Sequence, residues 1–462
     1  MTDLIEAFPY QHVGARYLAG KTQALLADEM GLGKSCQAII AADLIGAVNV
    51  LVFCPANVRI NWSREFVRFS PMDRPCAVIL TGRDAIPTSG VVILSYDLAA
   101  NPAILKQIKA RPWCVAVLDE AHYLKSRSAA RTKAVYGHNS RSPGLVANAK
   151  RVWRLSGTPA PNDASELWTH LKSAGIIDMA YYDFVFRFCA GFDSDYGFKI
   201  TGHKNTEELK QLLARFMLRR KKDEVMKDLP PIQYQEVTVE RSAVDVDMFF
   251  TEYIRGDRAA YNDRLRSDDR ALREALAKIQ TTGTHGQSVV MDRLRVLEGL
   301  ATNLVALRRY IAVAKAPNVC GIIAEELEAD PTMKIVIFAV HVDAIKYAQN
   351  ALKRFGAVTL YGGTEPKRKV QNIDKFMNDP KCRVFIGNVQ AAGTGITLTS
   401  ACEVAFLEAS WVPSDNAQAA MRCHRIGQTR PVRVRFFSCA GSVDEQVQAT
   451  LMRKTRELLK IF

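Results

Sequence analysis

The stretch Asp28-Glu29-Met30-Gly31-Leu32-Gly33-Lys34-Ser35, followed by the apolar run Cys36 to Leu44, constrains this chain more than any other. Two glycines let backbone N–H groups crowd a polyphosphate without a Cβ clash, and the helix that follows points its positive dipole end at the same place. Lys34 can reach the outer phosphates, and the Ser35 hydroxyl can ligand Mg²⁺. The pattern predicts an ATP site lined by Gly31, Gly33, Lys34 and Ser35. The full phosphate-loop template asks for glycine where Asp28 stands, so the match is partial, and a tight loop capping a core helix is the plainer alternative.

A chain of 462 residues holds roughly three domain-sized units. Lys plus Arg (62) exceed Asp plus Glu (48), and the formal charge of +14 suits a polyanionic partner such as nucleic acid, or simply a well-solvated surface. The ten cysteines never fall at zinc-ligand spacing and sit largely in apolar runs, which favours a reducing intracellular, cytoplasmic setting. The longest apolar region, Ala38 to Cys54, is broken by Asp43 and Asn49, so no membrane span is expected.

In chain order, Phe8 to Leu18 reads as a helix running towards the glycine loop. The Gln11 amide on it can donate to and accept from an adenine edge, or merely be solvated. Short β-branched runs follow at Val48–Cys54, Val91–Leu94, Val115–Leu118 and Arg151–Leu155, and their alternation with helices predicts a parallel sheet covered on both faces. The third run ends in Asp119-Glu120-Ala121-His122. Two carboxylates at the carboxyl edge of a buried strand would divide the work of hydrolysis, with Asp119 holding Mg²⁺ through water or directly and Glu120 activating water, or else form only a charge pair at a helix N-terminus. After the fourth run, Ser156-Gly157-Thr158-Pro159-Ala160-Pro161-Asn162 forms a stiff polar loop that could sense the γ-phosphate, or an ordinary turn. Phe216 to Arg220 with Lys221 and Lys222 reads as a basic helix end, and Leu229-Pro230-Pro231 as a break, which puts a first lobe at 1–235.

From about Ser242 to Ala316 the chain carries long charged helical patterns split at Thr281–Gln287, and residues 236–330 are assigned to a helical insertion and linker. From 331 to 462 the strand and helix rhythm resumes, at Ile335–Ala339, Ala357–Leu360, Val384–Gly387, Val404–Leu407 and Val432–Ser438. The loops Gly362-Gly363-Thr364 and Ala392-Gly393-Thr394-Gly395 display groups that bind phosphate of either ATP or DNA. In Gln418-Ala419-Ala420-Met421-Arg422-Cys423-His424-Arg425-Ile426-Gly427-Gln428, Arg422 and Arg425 stand three residues apart and would share one helix face. There they could reach an interlobe cleft as arginine fingers.

These motifs, in this order from Tyr10 to about Leu451, resemble the Swi/Snf-type ATPases of the second helicase superfamily. The flanks Leu155–Asn162 and Leu307-Arg308-Arg309 before Ala314–Pro317 resemble the compact annealing-helicase branch of bacterial or phage type. The resemblance implies an α/β chain of two RecA-like lobes with a helical insertion, a monomer using ATP and Mg²⁺ on double-stranded or branched DNA. It implies DNA-stimulated hydrolysis with translocation; a clamp without travel and a strand-separating helicase are the alternatives. It carries over Gln11 as base reader, Lys34, Asp119, Glu120, Arg422 and Arg425 as catalytic, and Gly395 on nucleotide. Ser156, Thr158 and Gln418 become coupling residues, and DNA contacts fall at Pro55, Ser95, Tyr96, Gly363, Thr364, Thr394 and Trp411. Two departures stand out: Ala420-Met421 replace a usual acidic pair, and Thr397 a usual Asn.

Overall fold

The computed structural model of the chain describes residues 6–139, 142–160, 163–194, 197–240, 300–392, 396–442 and 444–445. The chain forms two compact units that divide after Asp228.

The first lobe is built on seven strands: β1 (Gln23–Leu26), β2 (Asn49–Cys54), β3 (Cys76–Val78), β4 (Gly90–Ser95), β5 (Val115–Asp119), β6 (Val152–Leu155) and β7 (Met217–Leu218). They run in the order β7-β1-β6-β5-β2-β4-β3. All six pairings are parallel, so every strand ends at the same edge of the sheet. Strands buried on both faces must be apolar at every position, which explains the unbroken runs in β2, β4 and β5. Alternate residues serve opposite faces. Val50, Val52, Val91, Ile93, Val115 and Val117 pack with Ile39, Trp62 and Phe66 on one side. Leu51, Phe53, Val92, Leu94, Ala116 and Leu118 pack with Tyr96, Ile104 and Trp113 on the other.

The second lobe repeats this plan with β8 (Ile232–Val239), β9 (Ile335–Ala339), β10 (Val358–Leu360), β11 (Val384–Asn388), β12 (Glu403–Phe406) and β13 (Val432–Cys439). The order is β8-β13-β12-β9-β11-β10, again all parallel. A long helix, Leu300–Ala329, lays Ala312, Ala316, Val319, Cys320, Ile323 and Leu327 against this sheet at helical spacing.

Each lobe is therefore a parallel sheet flanked by helices, as expected. The boundaries differ from 235 and 330. Strand β8 pairs with β13 along its whole length and so belongs to the second lobe. The helix ending at Ala329 is part of that lobe's core rather than a linker. The Thr281–Gln287 turn and most of the expected insertion lie outside the described residues. Phe216–Arg220 is not a helix end. Leu25 N and Ala27 N donate to Phe216 O and Leu218 O, making Met217–Leu218 an edge strand.

Candidate nucleotide site and arginine loop

The glycine loop leaves the carboxyl end of β1 and turns through left-handed backbone at Gly31 (φ 88°) and Gly33 (φ 70°), a region that only glycine enters cheaply. Gly33 caps the helix Lys34–Leu44, and a Cβ on it would lie 2.3 Å from Gln11 Nε2. Lys34 Nζ donates to Asp28 O at 2.7 Å and Glu29 O at 3.2 Å, so its ammonium is folded into the loop's own concavity. Burial lowers the Lys34 pKa, while Glu120, Asp28 and Asp119 pull it back up. Ser35, half-buried, is the second residue of the same helix. Gln11 is 4% exposed rather than solvated. Its Nε2 donates to Leu32 O (3.3 Å) and its Oε1 accepts from Phe8 N (3.0 Å), so the amide pins the loop to the preceding helix cap.

Asp28, the departure from the glycine template, is a buried anchor. Arg220 donates to it from both Nε and Nη2, and Gln37 Nε2 adds a bond at 3.0 Å. Arg220 also reaches Gln37 Oε1 at 2.8 Å. Breaking such a buried pair from one side costs about 3–5 kcal/mol. A glycine here would leave the Arg220 guanidinium without its counter-charge.

Asp119 ends β5. Its Oδ2 accepts from Trp62 Nε1 at 2.8 Å, its Oδ1 from Glu120 N at 3.0 Å, and its carbonyl from Tyr96 OH at 2.7 Å. Burial, then the neighbouring Glu120 charge, push the Asp119 carboxyl up to about 7, against the opposing pull of Trp62 and Lys34. Glu120 itself sits at φ 49°, a left-handed position costing roughly 1 kcal/mol or more for a residue with a Cβ. That turn carries the chain from β5 into Ala121–Leu124 and sets His122 Nδ1 3.4 Å from Glu120 Oε2. The same His122 nitrogen lies 3.2 Å from Ser156 Oγ, which in turn accepts from Thr158 N at 3.2 Å. The polar loop after β6 is thus joined by hydrogen bonds to the acid turn. Gly157 comes so close to the glycine loop that a Cβ would lie 2.6 Å from Met30 Cγ and 3.3 Å from Lys34 Nζ. Arg219 bridges the two loops, donating to Ala27 O (3.1 Å) and Gly157 O (3.3 Å).

Gln11, Gly31, Gly33, Lys34, Ser35, Asp119, Glu120, Ser156 and Thr158 therefore gather at one edge of the first sheet, where open α/β sheets hold ligands. Trp62, Gln37, Arg219 and Arg220 were missed. Only the basic run ending Phe216–Arg220 hinted at two of them, and it was read as a helix end.

The expected DNA residues fare differently. Pro55 follows β2, Ser95 ends β4 and Tyr96 follows it, but all three are buried. Ser95 Oγ caps Leu98 N, and Tyr96 stacks between Phe53 and Tyr123 while bonding to Asp119. Buried in this way, the three side chains do not form an outer contact surface, and that of Tyr96 braces the acid-bearing strand instead. In the second lobe Gly363 is exposed, and Thr364 Oγ1 accepts from Tyr361 N at 3.0 Å. Trp411 lies under the Arg308 guanidinium, 4.7 Å from ring centroid to carbon. Thr394 and Gly395 lie outside the described residues.

The arginine pair is not on a helix. The helix Pro413–Ala420, which buries Gln418, stops at Ala420, and residues 421–427 form turns. The chain turns because it is stitched back: Leu398 N donates to Arg422 O, and Gln428 Nε2 donates to Thr399 O, Ala401 O and Cys423 O. Arg422 is 5% exposed and donates to Ile396 O at 3.5 Å. Arg425, half-buried, donates to Met421 O (3.1 Å) and Thr397 Oγ1 (3.2 Å). Thr397 thus supplies an acceptor for Arg425. Ala420 is buried in the lobe's apolar cluster and Met421 beside it in the chain is buried too, so an acidic pair there would be desolvated.

Two parallel sheets, a phosphate-type loop with an acid pair on one and an arginine-bearing loop on the other, define a two-lobed helicase-class α/β protein. The SNF2-related domain family matches residues 10–296 and the helicase conserved C-terminal domain matches residues 316–427. The chain belongs to the SNF2-related family. It is 31% identical over 464 residues to the SWI/SNF-related matrix-associated actin-dependent regulator of chromatin subfamily A-like protein 1 homolog of Caenorhabditis elegans, covering 97% of this chain and 60% of that protein. It is 28% identical over 466 residues to the DNA annealing helicase and endonuclease ZRANB3 of Mus musculus, covering 97% and 40% respectively. The chain thus spans about 40 to 60% of the length of these curated relatives. Among solved structures, the Sulfolobus solfataricus SWI2/SNF2 ATPase core in complex with dsDNA aligns at 25% identity with a TM-score of 0.44, covering 100% of this chain and 95% of that one. No helix among the described residues is long and apolar enough to cross a membrane.

Proposed function

We propose that this chain is a DNA-stimulated ATP hydrolase that translocates on double-stranded or branched DNA, remodelling protein–DNA complexes or re-annealing strands. Membership of the SNF2-related family and a relative named as a DNA annealing helicase support that reading. The observation that carries it is the joined edge of the first lobe. Lys34, folded into the glycine loop, feels the charges of Asp119 and Glu120, and His122 links their turn to Ser156.

Lys34 and the loop N–H groups take the phosphates, and Gln11 contributes at the base. Two adjacent, half-buried carboxyls, one of them pushed up to about 7, fit a divalent cation, which Asp119 and Ser35 would hold. When bound, Mg²⁺ supplies charge neutralisation on the phosphates. Glu120 takes the proton of the attacking water, and Ser156 and Thr158, with Gln418, relay loss of the γ-phosphate. Arg422 and Arg425 are assigned the finger role of neutralising charge as the phosphoryl group leaves. Gly363, Thr364, Thr394 and Trp411 are assigned to DNA, and Gly395 to nucleotide.

Within the family we place the chain in the compact annealing-helicase branch, acting inside the cell as a monomer. The two curated relatives above are animal proteins, and nothing in them supports the bacterial or phage source expected from the sequence. The test is ATP turnover with and without duplex DNA, together with displacement of a third strand from a triplex. The buried Ala420-Met421 pair favours one second reading, an ATP-driven clamp without travel. A clamp would hydrolyse ATP and leave the third strand in place.

A further inference from the structure

The first lobe carries a row of aromatic rings that the nucleotide site does not use. Tyr182 and Phe186 stand four apart on the helix Tyr181–Phe188 and so share a face, and they are 56% and 49% exposed. Ring centroids are 5.4 Å apart for Tyr181 and Tyr182, 6.3 Å for Tyr182 and Phe186, and 5.1 Å for Phe186 and Phe198, which comes from the hairpin strand Gly197–His203. The opposite face of the helix buries Phe184, Val185 and Phe188, so the outer rings are held on a fixed support.

A cation completes the row. The exposed Arg127 guanidinium lies 4.5 Å from the Tyr181 centroid and 5.4 Å from that of Tyr182. Among the described residues it makes no ion pair with a carboxylate, so its charge is available to an anion. The rings of Tyr182 and Phe186 lie within 30° of parallel, while Phe198 meets Phe186 edge-on at 84°, and such exposed rings beside a guanidinium suit the bases and phosphates of an unpaired strand, since every base stacks and every link is anionic. Aliphatic side chains, which dominate purely apolar docking faces, are missing from the exposed part of the row.

The row is also braced to the hydrolytic turn. Trp168 meets Tyr181 edge-on at 5.5 Å, its neighbour Thr169 donates to Leu124 O at 2.8 Å, and Lys125 pairs with Glu166 at 2.6 Å. Leu124 closes the turn that begins after Glu120, and Arg127 lies just beyond it. The rings are thus connected, through Arg127, Trp168 and Thr169, to a segment a few residues from the acid pair.

We propose that Tyr182, Phe186 and Phe198 with Arg127 form a stacking platform for unpaired bases, a single-stranded DNA site on the first lobe that would favour forks and gaps over plain duplex. The proposal rests on the DNA-dependent reading above. The experiment measures binding of a fluorescent oligodeoxythymidylate without ATP over a salt series, for the full chain and for Tyr182→Ala/Phe186→Ala, Arg127→Ala and Tyr182→Phe. The double variant should lose about tenfold or more in affinity with an unchanged salt slope, because stacking of each base contributes about a tenfold factor or more. Arg127→Ala should flatten the slope by roughly 0.7, and Tyr182→Phe should bind as the parent does. Duplex-stimulated hydrolysis should be equal in the parent and the double variant, which also shows that the variant is folded. Oligonucleotide affinity within twofold of the parent in the double variant, or an equal fall in duplex stimulation, would overturn the platform. A parent whose hydrolysis ignores duplex DNA would instead sink the broader reading, whatever the oligonucleotide does.

Discussion

Both lobes set carboxylates at or just past the ends of parallel strands, yet Asp119 and Glu408 are held in opposite ways. Asp119 is pushed up to about 7 by burial and by the charge of Glu120, which Trp62 and Lys34 only partly offset. Burial also works to raise Glu408, but bonds from His341 Nδ1 (2.6 Å), His341 N (2.8 Å) and Val340 N (3.1 Å), with the Arg308 charge, hold it below the usual carboxylate range. One carboxylate has too little positive charge beside it, and the other is well supplied. A carboxylate satisfied from within stabilises its lobe, whereas one left short of counter-charge suits, on the function proposed above, a cation brought by the ligand.

That contrast can be broken in several ways. The largest effect is expected for Lys34→Ala, which removes the only lysine in the glycine loop and should abolish ATP hydrolysis measured by phosphate release. Wild-type turnover in this variant would remove the loop from the mechanism. Next come Arg422→Ala and Arg425→Ala, each expected to slow turnover by about 10³ to 10⁵ while leaving nucleotide affinity near the parent value. Loss of affinity with normal turnover would reassign them to binding. Asp28→Ala should lower stability by about 3–5 kcal/mol in chemical denaturation, since it strands the Arg220 charge. An unchanged midpoint would mean that the pair is not what shapes the loop.

Two smaller effects sharpen the comparison. Glu408→Gln should cost about 2 kcal/mol because charged hydrogen bonds are lost, whereas Asp119→Asn in nucleotide-free protein should cost little or stabilise. The reverse ranking would contradict the contrast between the lobes. His170, buried behind the first sheet beside Tyr136 and Arg154, is pushed down to about 3 by burial and then by Arg154 and His122. The unfolded chain therefore binds a proton below about pH 6.5 that the folded chain refuses. Stability should fall by about 1.4 kcal/mol per unit as pH drops from there towards 3. His170→Gln should flatten that fall, and an unaltered pH profile would show that the ring is protonated in the fold.

Most central strands were legible because a strand covered on two faces has to be apolar throughout, as in Val115–Leu118 and Ile335–Ala339, but the interior strand Gln23–Leu26 was missed, being four residues long and opening on a polar Gln. The edge strands Cys76–Val78, Met217–Leu218 and Ile232–Val239 were not, since an edge tolerates short or polar sequence such as Gln233, Gln235 and Glu236. The glycine loop and acid turn were legible for a similar reason: local backbone geometry and strand ends fix them. Their partners were hidden. Arg220 reaches Asp28 and Trp62 reaches Asp119 only after the chain has folded, and no spacing announces such long-range bonds. The arginine pair shows the opposite failure, where helical spacing suggested a shared face and carbonyl stitching by Gln428 produced turns.

The central claim is that the joined edge of Lys34, Asp119, Glu120 and Ser156 hydrolyses ATP in response to DNA. Its most direct test is steady-state phosphate release by the parent chain and by Glu120→Gln, at one fixed salt, with and without duplex DNA. The account predicts that duplex raises turnover of the parent and that Glu120→Gln retains bound ATP without releasing phosphate. Equal turnover with and without DNA, or normal release by Glu120→Gln, would contradict it.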